Sequence, residues 1–132
     1  MINNNLEQLA KEYINDVNKV CQMILQAYNL KSREELIKHR EAQPTGEFYL
    51  NGNNSYTFHG RGCRFSNNEL EIDWDFGYGE NWCGIDPWKL AYYIRENKTT
   101  ETLYDGNKIK EELENLITKS KFIKKFDLYY LA

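Results

Sequence analysis

Glu69-Leu70-Glu71-Ile72-Asp73-Trp74-Asp75-Phe76 alternates without interruption, with apolar side chains at the even positions and carboxylates at the odd ones. A period of two belongs to the β-strand, whose successive side chains point to opposite faces. The segment therefore reads as a strand with one face on a core and the other toward water or a partner. Working back from it, Ser66-Asn67-Asn68 is turn chemistry, and Tyr56-Thr57-Phe58-His59 resumes an extended pattern. Asn51-Gly52-Asn53-Asn54 is a strong hairpin signal, and before it Phe48 and Leu50 alternate with Glu47, Tyr49 and Asn51. Short polar turns between successive strands predict a small antiparallel sheet of three or more strands.

On both sides of this block the period lengthens to that of a helix. Leu6, Leu9, Ala10, Tyr13, Ile14, Val17, Val20, Cys21, Ile24, Leu25 and Tyr28 recur at three- and four-residue steps, predicting a helix over 5–28 capped by Asn4 or Asn5. Ser32-Arg33-Glu34-Glu35 is a capping-box pattern that starts a short second helix near Arg33–Glu41, which Pro44-Thr45-Gly46 closes off. Asp86-Pro87-Trp88 opens a third, with Asp86 as N-cap and Pro87 at the first helical position; it runs to about Asn97 with Leu90, Ala91 and Ile94 inward. Asn107–Lys119 gives a fourth, with Ile109, Leu113, Leu116 and Ile117 on one side. Phe122, Ile123, Phe126 and Tyr130 fit a helix, but Leu128-Tyr129-Tyr130-Leu131 reads as a closing strand, the reading preferred here. The expectation is an α+β fold, with about four helices packed mainly on one face of the sheet. One domain is expected over 1–132: helical at 5–41, β-rich at 46–77, and helical with a C-terminal segment at 86–132.

Composition fits a globular chain of this size. Apolar residues are 41% and aromatics 14%, enough large side chains for a real core. No apolar run approaches the roughly 20 residues of a membrane span. Met1–Asn5 lacks the charged-then-apolar start of a signal peptide, so a cytoplasmic protein without membrane contact is expected. The 3 cysteines, Cys21, Cys63 and Cys83, form no CxxC pair and read as reduced thiols. Net charge is −3, unevenly spread: residues 46–88 carry 2 basic and 7 acidic groups, while residues 1–45 balance at 6 each. An acidic middle is the wrong sign for binding nucleic acid, and the basic run Lys119–Lys125 reads as a solvated end.

Phe65 and Cys63 should face the core opposite Leu70 and Ile72, yet Tyr56 and Phe58 have the opposite parity. One extra residue near Gly60 and Gly62 repairs this, so a β-bulge is expected there. The resulting register sets Arg64 opposite Glu71, Arg61 opposite Asp73, Gly60 opposite Trp74, His59 opposite Asp75 and Phe58 opposite Phe76. Two uses of this arrangement compete. The charge pairs can relieve repulsion among the carboxylates of one strand face, or His59, re-aimed by the bulge and set against Asp75, can be a functional imidazole.

Three strings, His59-Gly60-Arg61-Gly62-Cys63-Arg64-Phe65, Ile72-Asp73-Trp74-Asp75-Phe76-Gly77 and Gly84-Ile85-Asp86-Pro87-Trp88-Lys89-Leu90, together resemble a family of small uncharacterised bacterial proteins. That family, a domain of unknown function, shares an HGxGC element, a DWDF-type strand and a GxDPW-type helix start. The resemblance covers roughly residues 56–95 and implies a single bacterial domain without an assigned activity. By class rather than by motif, small acidic proteins of this kind are similar to the immunity proteins encoded beside polymorphic or contact-dependent toxins.

The leading expectation is accordingly a protein that binds and neutralises a toxin domain with a basic active-site cleft. The surface expected to do so is Glu69, Glu71, Asp73, Asp75 and Glu80, with Tyr78 and Trp82 as aromatic anchors and His59 and Arg61 alongside. The alternative is a small hydrolase in which His59 acts as general base with Asp75 or Asp73. Cys63 as its nucleophile is disfavoured, because parity turns Cys63 inward and His59 outward. A metal site from His59, Cys63 and Cys83 with an aspartate matches no standard zinc spacing, and neither metal nor cofactor is expected. His39 reads as a surface residue.

Overall fold

The alternating middle of the chain folds as a meander. A computed structural model describes residues 2–32, 35, 38–39, 46–51, 54–59, 62–75, 86–98 and 106–119. Among them are four strands, β1 (Gly46–Asn51), β2 (Asn54–His59), β3 (Gly62–Ser66) and β4 (Glu71–Asp75). Three helices accompany them, α1 (Ile2–Ala27), α2 (Pro87–Asn97) and α3 (Gly106–Lys119). The strands form one antiparallel sheet in the order β1-β2-β3-β4. The described residues thus hold three helices against the four or so expected. The expected second helix falls mostly outside them, although Glu35, Lys38 and His39 are helical. Half of its capping box is formed, since the Glu35 amide donates to Ser32 Oγ at 3.1 Å. The Glu35 carboxylate accepts from the Lys31 amide. The closing strand expected within 122–131 also lies outside the described residues.

The register overturns the expected bulge. β2 and β3 are separate antiparallel strands, with Tyr56 opposite Phe65, Thr57 opposite Arg64, Phe58 opposite Cys63 and His59 opposite Gly62. The chain reverses between His59 and Gly62 where one continuous bulged strand was expected. Directly opposed residues share a face, and a two-residue reversal pairs even numbers with odd ones. That reversal alone produces the parity mismatch attributed to a bulge. The β3–β4 register is also two residues away from expectation: Cys63 faces Trp74, Arg64 faces Asp73, Phe65 faces Ile72, and Gly62 faces Asp75. The cause is the turn before β4. Asn67 Oδ1 accepts from the amides of Glu69 and Leu70, each at 2.8 Å, and the Asn67 amide donates to the Leu70 carbonyl at 2.9 Å. Glu69 and Leu70 are therefore spent on the turn, and the strand begins at Glu71.

A shift of two preserves the faces. Cys63, Phe65, Ile72 and Trp74 share one face of the sheet, and all four are fully buried in one core with the helices. α1 contributes Leu6, Ala10, Tyr13, Ile14, Val17, Val20, Cys21 and Ile24, the stripe its periodicity predicts. The helix starts earlier than expected, at Ile2, so Asn4 and Asn5 lie within it and not at the capping position before it. An interior Asn costs about 0.7 kcal/mol relative to Ala, too little to stop a helix anchored one turn later by Leu6. At its other end Leu30 donates to Leu25 at 2.8 Å and Asn29 to Gln26 at 3.4 Å, with Asn29 at φ 55°. This is a Schellman termination, with asparagine in the left-handed position that glycine usually fills.

α2 forms as the sequence predicts. Asp86 Oδ1 accepts from the Trp88 amide at 2.8 Å, Pro87 opens the helix, and Leu90, Ala91 and Ile94 are buried. Tyr93, which the sequence did not mark, is buried with them, and its ring meets Tyr13 edge-on at 5.3 Å. α3 begins one residue earlier than expected, at Gly106, and buries Ile109 and Leu113, with Leu116 packed against the core.

β4 lies at one edge of the sheet, where unpaired amides and carbonyls invite another strand. Here α1 and α2 occupy them. Asn97 Oδ1 accepts from the Glu71 amide at 3.0 Å, while its Nδ2 donates to the Glu71 carbonyl at 2.7 Å. One side-chain amide thus supplies the pair of bonds a neighbouring strand would make. Two residues along, the Tyr13 hydroxyl donates to the Asp73 carbonyl at 2.7 Å.

Candidate functional site: the outer sheet face

The face opposite the core is built from the remaining parity. Its rows run Glu47–Thr57–Arg64–Asp73 and Tyr49–Ser55–Ser66–Glu71, with His59–Gly62–Asp75 beyond them. At its centre Arg64 grips Asp73 with two parallel bonds, Nε to Oδ1 at 2.6 Å and Nη2 to Oδ2 at 2.9 Å. A fork-to-fork contact of this kind fixes both side chains in one geometry. Asp73 is 9% exposed, while the Arg64 side chain retains 44% of its surface, so the pair is sunk at its acidic end and open at its basic end.

Tyr92 of α2 closes the arrangement. Arg64 Cζ lies 5.0 Å from its ring centroid and Arg95 Cζ 5.1 Å, so two guanidinium groups attend one aromatic ring. Burial, together with a hydrogen bond to Glu71, pushes the Tyr92 hydroxyl up to about 12. The Asp73 carboxylate holds the Arg64 guanidinium above its already high range, so it remains a fixed cation at any ordinary pH. On the next residue, Tyr93 turns inward and donates to Asp16 Oδ2 at 2.7 Å. Burial and that bond raise its hydroxyl well beyond the usual tyrosine value. Lys98, just past the end of α2, binds Glu12 at 2.9 Å, adding a second polar tie to α1.

The residues named from sequence are distributed unevenly over this face. Glu69 is exposed on the turn, Glu71 is half-buried beside Tyr92, and Asp73 is committed to Arg64. Asp75 is opposite Gly62, and so is His59 on the other side, so the expected direct pairing of His59 with Asp75 is replaced by a row with a glycine between them. His59 and Cys63 occupy opposite faces by register, as the sequence implied. Arg61, Tyr78, Glu80, Trp82 and Cys83 lie outside the described residues. His39 is half-buried against Tyr28, ring centroids 4.3 Å apart, and burial lowers its basicity. Among the described residues no group of three or more His, Cys, Asp or Glu side chains is arranged to hold a metal ion.

The sequence does not mark Tyr92 or Arg95, and it marks Asn97 and Tyr13 only as a helix end and a core position, not as edge contacts. For the first two a signal existed: Trp88, Tyr92 and Arg95 fall on the helical arc opposite the inward residues. For Asn97 and Tyr13 there was none, because their role is to meet backbone groups of a strand distant in sequence.

The elements define a class, an α+β domain in which an antiparallel meander packs one face on helices and has its last strand sealed by a helix. Within that class, the chain belongs to the family described as a domain of unknown function, DUF6896, which matches residues 6–131. No curated protein and no solved structure matches it. No helix among the described residues is long and apolar enough to cross a membrane.

Proposed function

We propose that the protein is a bacterial cytoplasmic binding protein of the immunity type, neutralising a cognate toxin domain through the outer face of its sheet. The observation that carries this reading is the locked group of Arg64, Asp73, Tyr92 and Glu71. Each of these side chains is held by another, so a partner meets a surface whose ordering entropy has already been lost. Arg and Tyr are also the residue types that dominate binding energy at protein interfaces. Residues 46–88 carry 7 acidic against 2 basic groups, which favours encounter with a basic cleft. Glu69 and Asp75 flank the locked group along β4 and its turn, and Tyr78, Glu80 and Trp82 follow it in the chain.

The hydrolase alternative loses ground on two points of geometry. Asp73 is held in a bidentate contact by Arg64 and, on β4, is two strands away from His59 on β2. His59 and Asp75 are separated by the whole of β3, about 10 Å between backbones two strands apart.

The test is affinity capture from the source lysate with the wild-type chain and with a Glu69→Lys/Asp75→Lys variant. A stoichiometric basic toxin domain should co-purify with the first and be lost from the second. The variant's melting temperature should stay within a few degrees. Undiminished capture by the variant would remove the acidic face from the proposal.

A further inference from the structure

Resting on that reading for the identity of the partner, we infer that Trp88 and Asp75 together receive an arginine side chain of the basic partner, where α2 meets the outer face of the sheet. Trp88 is 60% exposed, an unusual state for the largest apolar side chain, while Pro87, Leu90, Ala91, Tyr93 and Ile94 of the same helix are buried. Its backbone is nonetheless fixed, because the Trp88 amide donates to the Asp86 cap at 2.8 Å. Among the described residues no cation lies over its ring, whereas Tyr92 and Tyr93 on the same helix already carry Arg64, Arg95 and Lys98.

The fold brings this indole level with position 75. Asn97 at the end of α2 bonds Glu71 at the start of β4, so helix and strand share that point and diverge from it in chain direction. Going back along the helix to Tyr92 covers about 7.5 Å, and going on along the strand to Asp73 covers about 6.6 Å. Arg64 bridges those two residues, which confirms that the elements run side by side. The same count continued to Trp88 on the helix and to Asp75 on the strand gives about 13 Å on each. Trp88 is turned only about 40° from Tyr92 around the helix, so it lies on the side that meets the outer face. Asp75 has outer-face parity in the register. Lys89, about 100° further round, has a contact of its own. An indole beside a carboxylate supplies both halves of what a guanidinium seeks, a π face for its plane and an acceptor for its fork. The acidic excess of residues 46–88, 7 groups against 2, favours that charge. Lysine forfeits the planar stack, so arginine is the preferred guest.

The experiment titrates the purified full chain with a capped tetra-arginine peptide, following the Trp88 indole N–H by NMR and the affinity by anisotropy of the labelled peptide. Tetra-lysine and tetra-glutamate peptides serve as comparisons. The arginine peptide should move the Trp88 signal saturably, the lysine peptide should bind several-fold more weakly, and the glutamate peptide should leave the signal in place. Trp88→Ala and Asp75→Asn should each weaken arginine-peptide binding about fivefold or more, and Trp88→Phe should keep part of it. Both Trp88 variants should melt within about 2 °C of the wild type, as exposed substitutions do. A Trp88 signal that stays still, or an affinity that Trp88→Ala leaves unchanged, overturns the inference. Capture from the source lysate judges the toxin-binding reading separately. Peptide binding at Trp88 with no basic domain captured sinks that reading and leaves the arginine receptor standing; a basic domain captured equally well by Trp88→Ala does the reverse.

Discussion

Asn97→Ala tests how β4 is held. In the wild type its amide accepts from the Glu71 amide and donates to the Glu71 carbonyl, with a further bond to the Tyr93 carbonyl at 2.9 Å. The Tyr93 carbonyl, at i−4 in the helix, keeps a helical partner, so the loss falls on Glu71. Two hydrogen bonds at about 1 kcal/mol each, plus part of the penalty for leaving a half-buried amide and carbonyl unmatched, give about 2–3 kcal/mol. Alanine returns up to about 0.7 kcal/mol as the better helix former, leaving a destabilisation of about 1–2.5 kcal/mol. For a chain of this length that is about 4–8 °C in melting temperature. Urea unfolding followed by circular dichroism reads it directly, with the m-value unchanged. Asn97→Asp sharpens the comparison, because the new carboxylate still accepts from the Glu71 amide but faces two carbonyl oxygens. It should be worse than alanine at neutral pH. Those carbonyls raise the folded-state pKa of the new carboxyl, so the protonated form is favoured by folding. Its stability relative to Asn97→Ala therefore rises as pH falls through the carboxyl range. An Asn97→Ala protein that unfolds with the wild type would refute the edge-sealing account.

Three further outcomes follow from the same contacts. Arg64→Ala strands the buried Asp73 carboxylate and should cost about 1–2 kcal/mol, a modest figure because the Arg64 side chain is 44% exposed; Arg64→Lys recovers only part, and an unchanged urea midpoint in both would count against the clamp. Tyr92, with its hydroxyl raised from 10.0 to about 12, contributes stability that is complete below pH 10 and lost as pH climbs toward 12. Unfolding free energies of wild type and Tyr92→Phe should therefore converge across that window, and parallel curves would contradict it. Cys21 and Cys63 are buried thiols outside any disulfide, and burial pushes Cys21 up to about 12. Thiol labelling at pH 8 with peptide mapping should leave both unmodified until denaturant is added.

Local chemistry was readable wherever neighbours in sequence settle the structure. The Asp86-Pro87 start of α2, the α1 stripe and the alternation of β4 all appear as expected, because capping and periodicity act within a few residues. The register departs from the sequence expectation for a definable reason. Parity alone cannot distinguish an inserted residue in one strand from a two-residue reversal between two, and Gly60 and Gly62 suit either. The second error came from the turn: Asn67 consumes Glu69 and Leu70, which the unbroken alternation had assigned to the strand. Arg64 was recognised as the partner of an acidic residue on β4, but that residue is Asp73, not Glu71. The part of the outer face supplied by α2 needed the three-dimensional approach of helix and strand edge, which no local pattern encodes.

Glu71 has a consequence for how motions of the domain are sensed. Its amide is bonded to the last residue of a helix, whereas the amides of Ile72 and Trp74 face β3. Hydrogen exchange at Glu71 is therefore a clock for the lifting of α2, while exchange at the two neighbours times the opening of the sheet. Adjacent positions on one strand keep different time. Whenever the first clock runs without the second, the Glu71 end of β4 stands for that moment as an open edge, with the Tyr13 hydroxyl on the Asp73 carbonyl as its remaining cover.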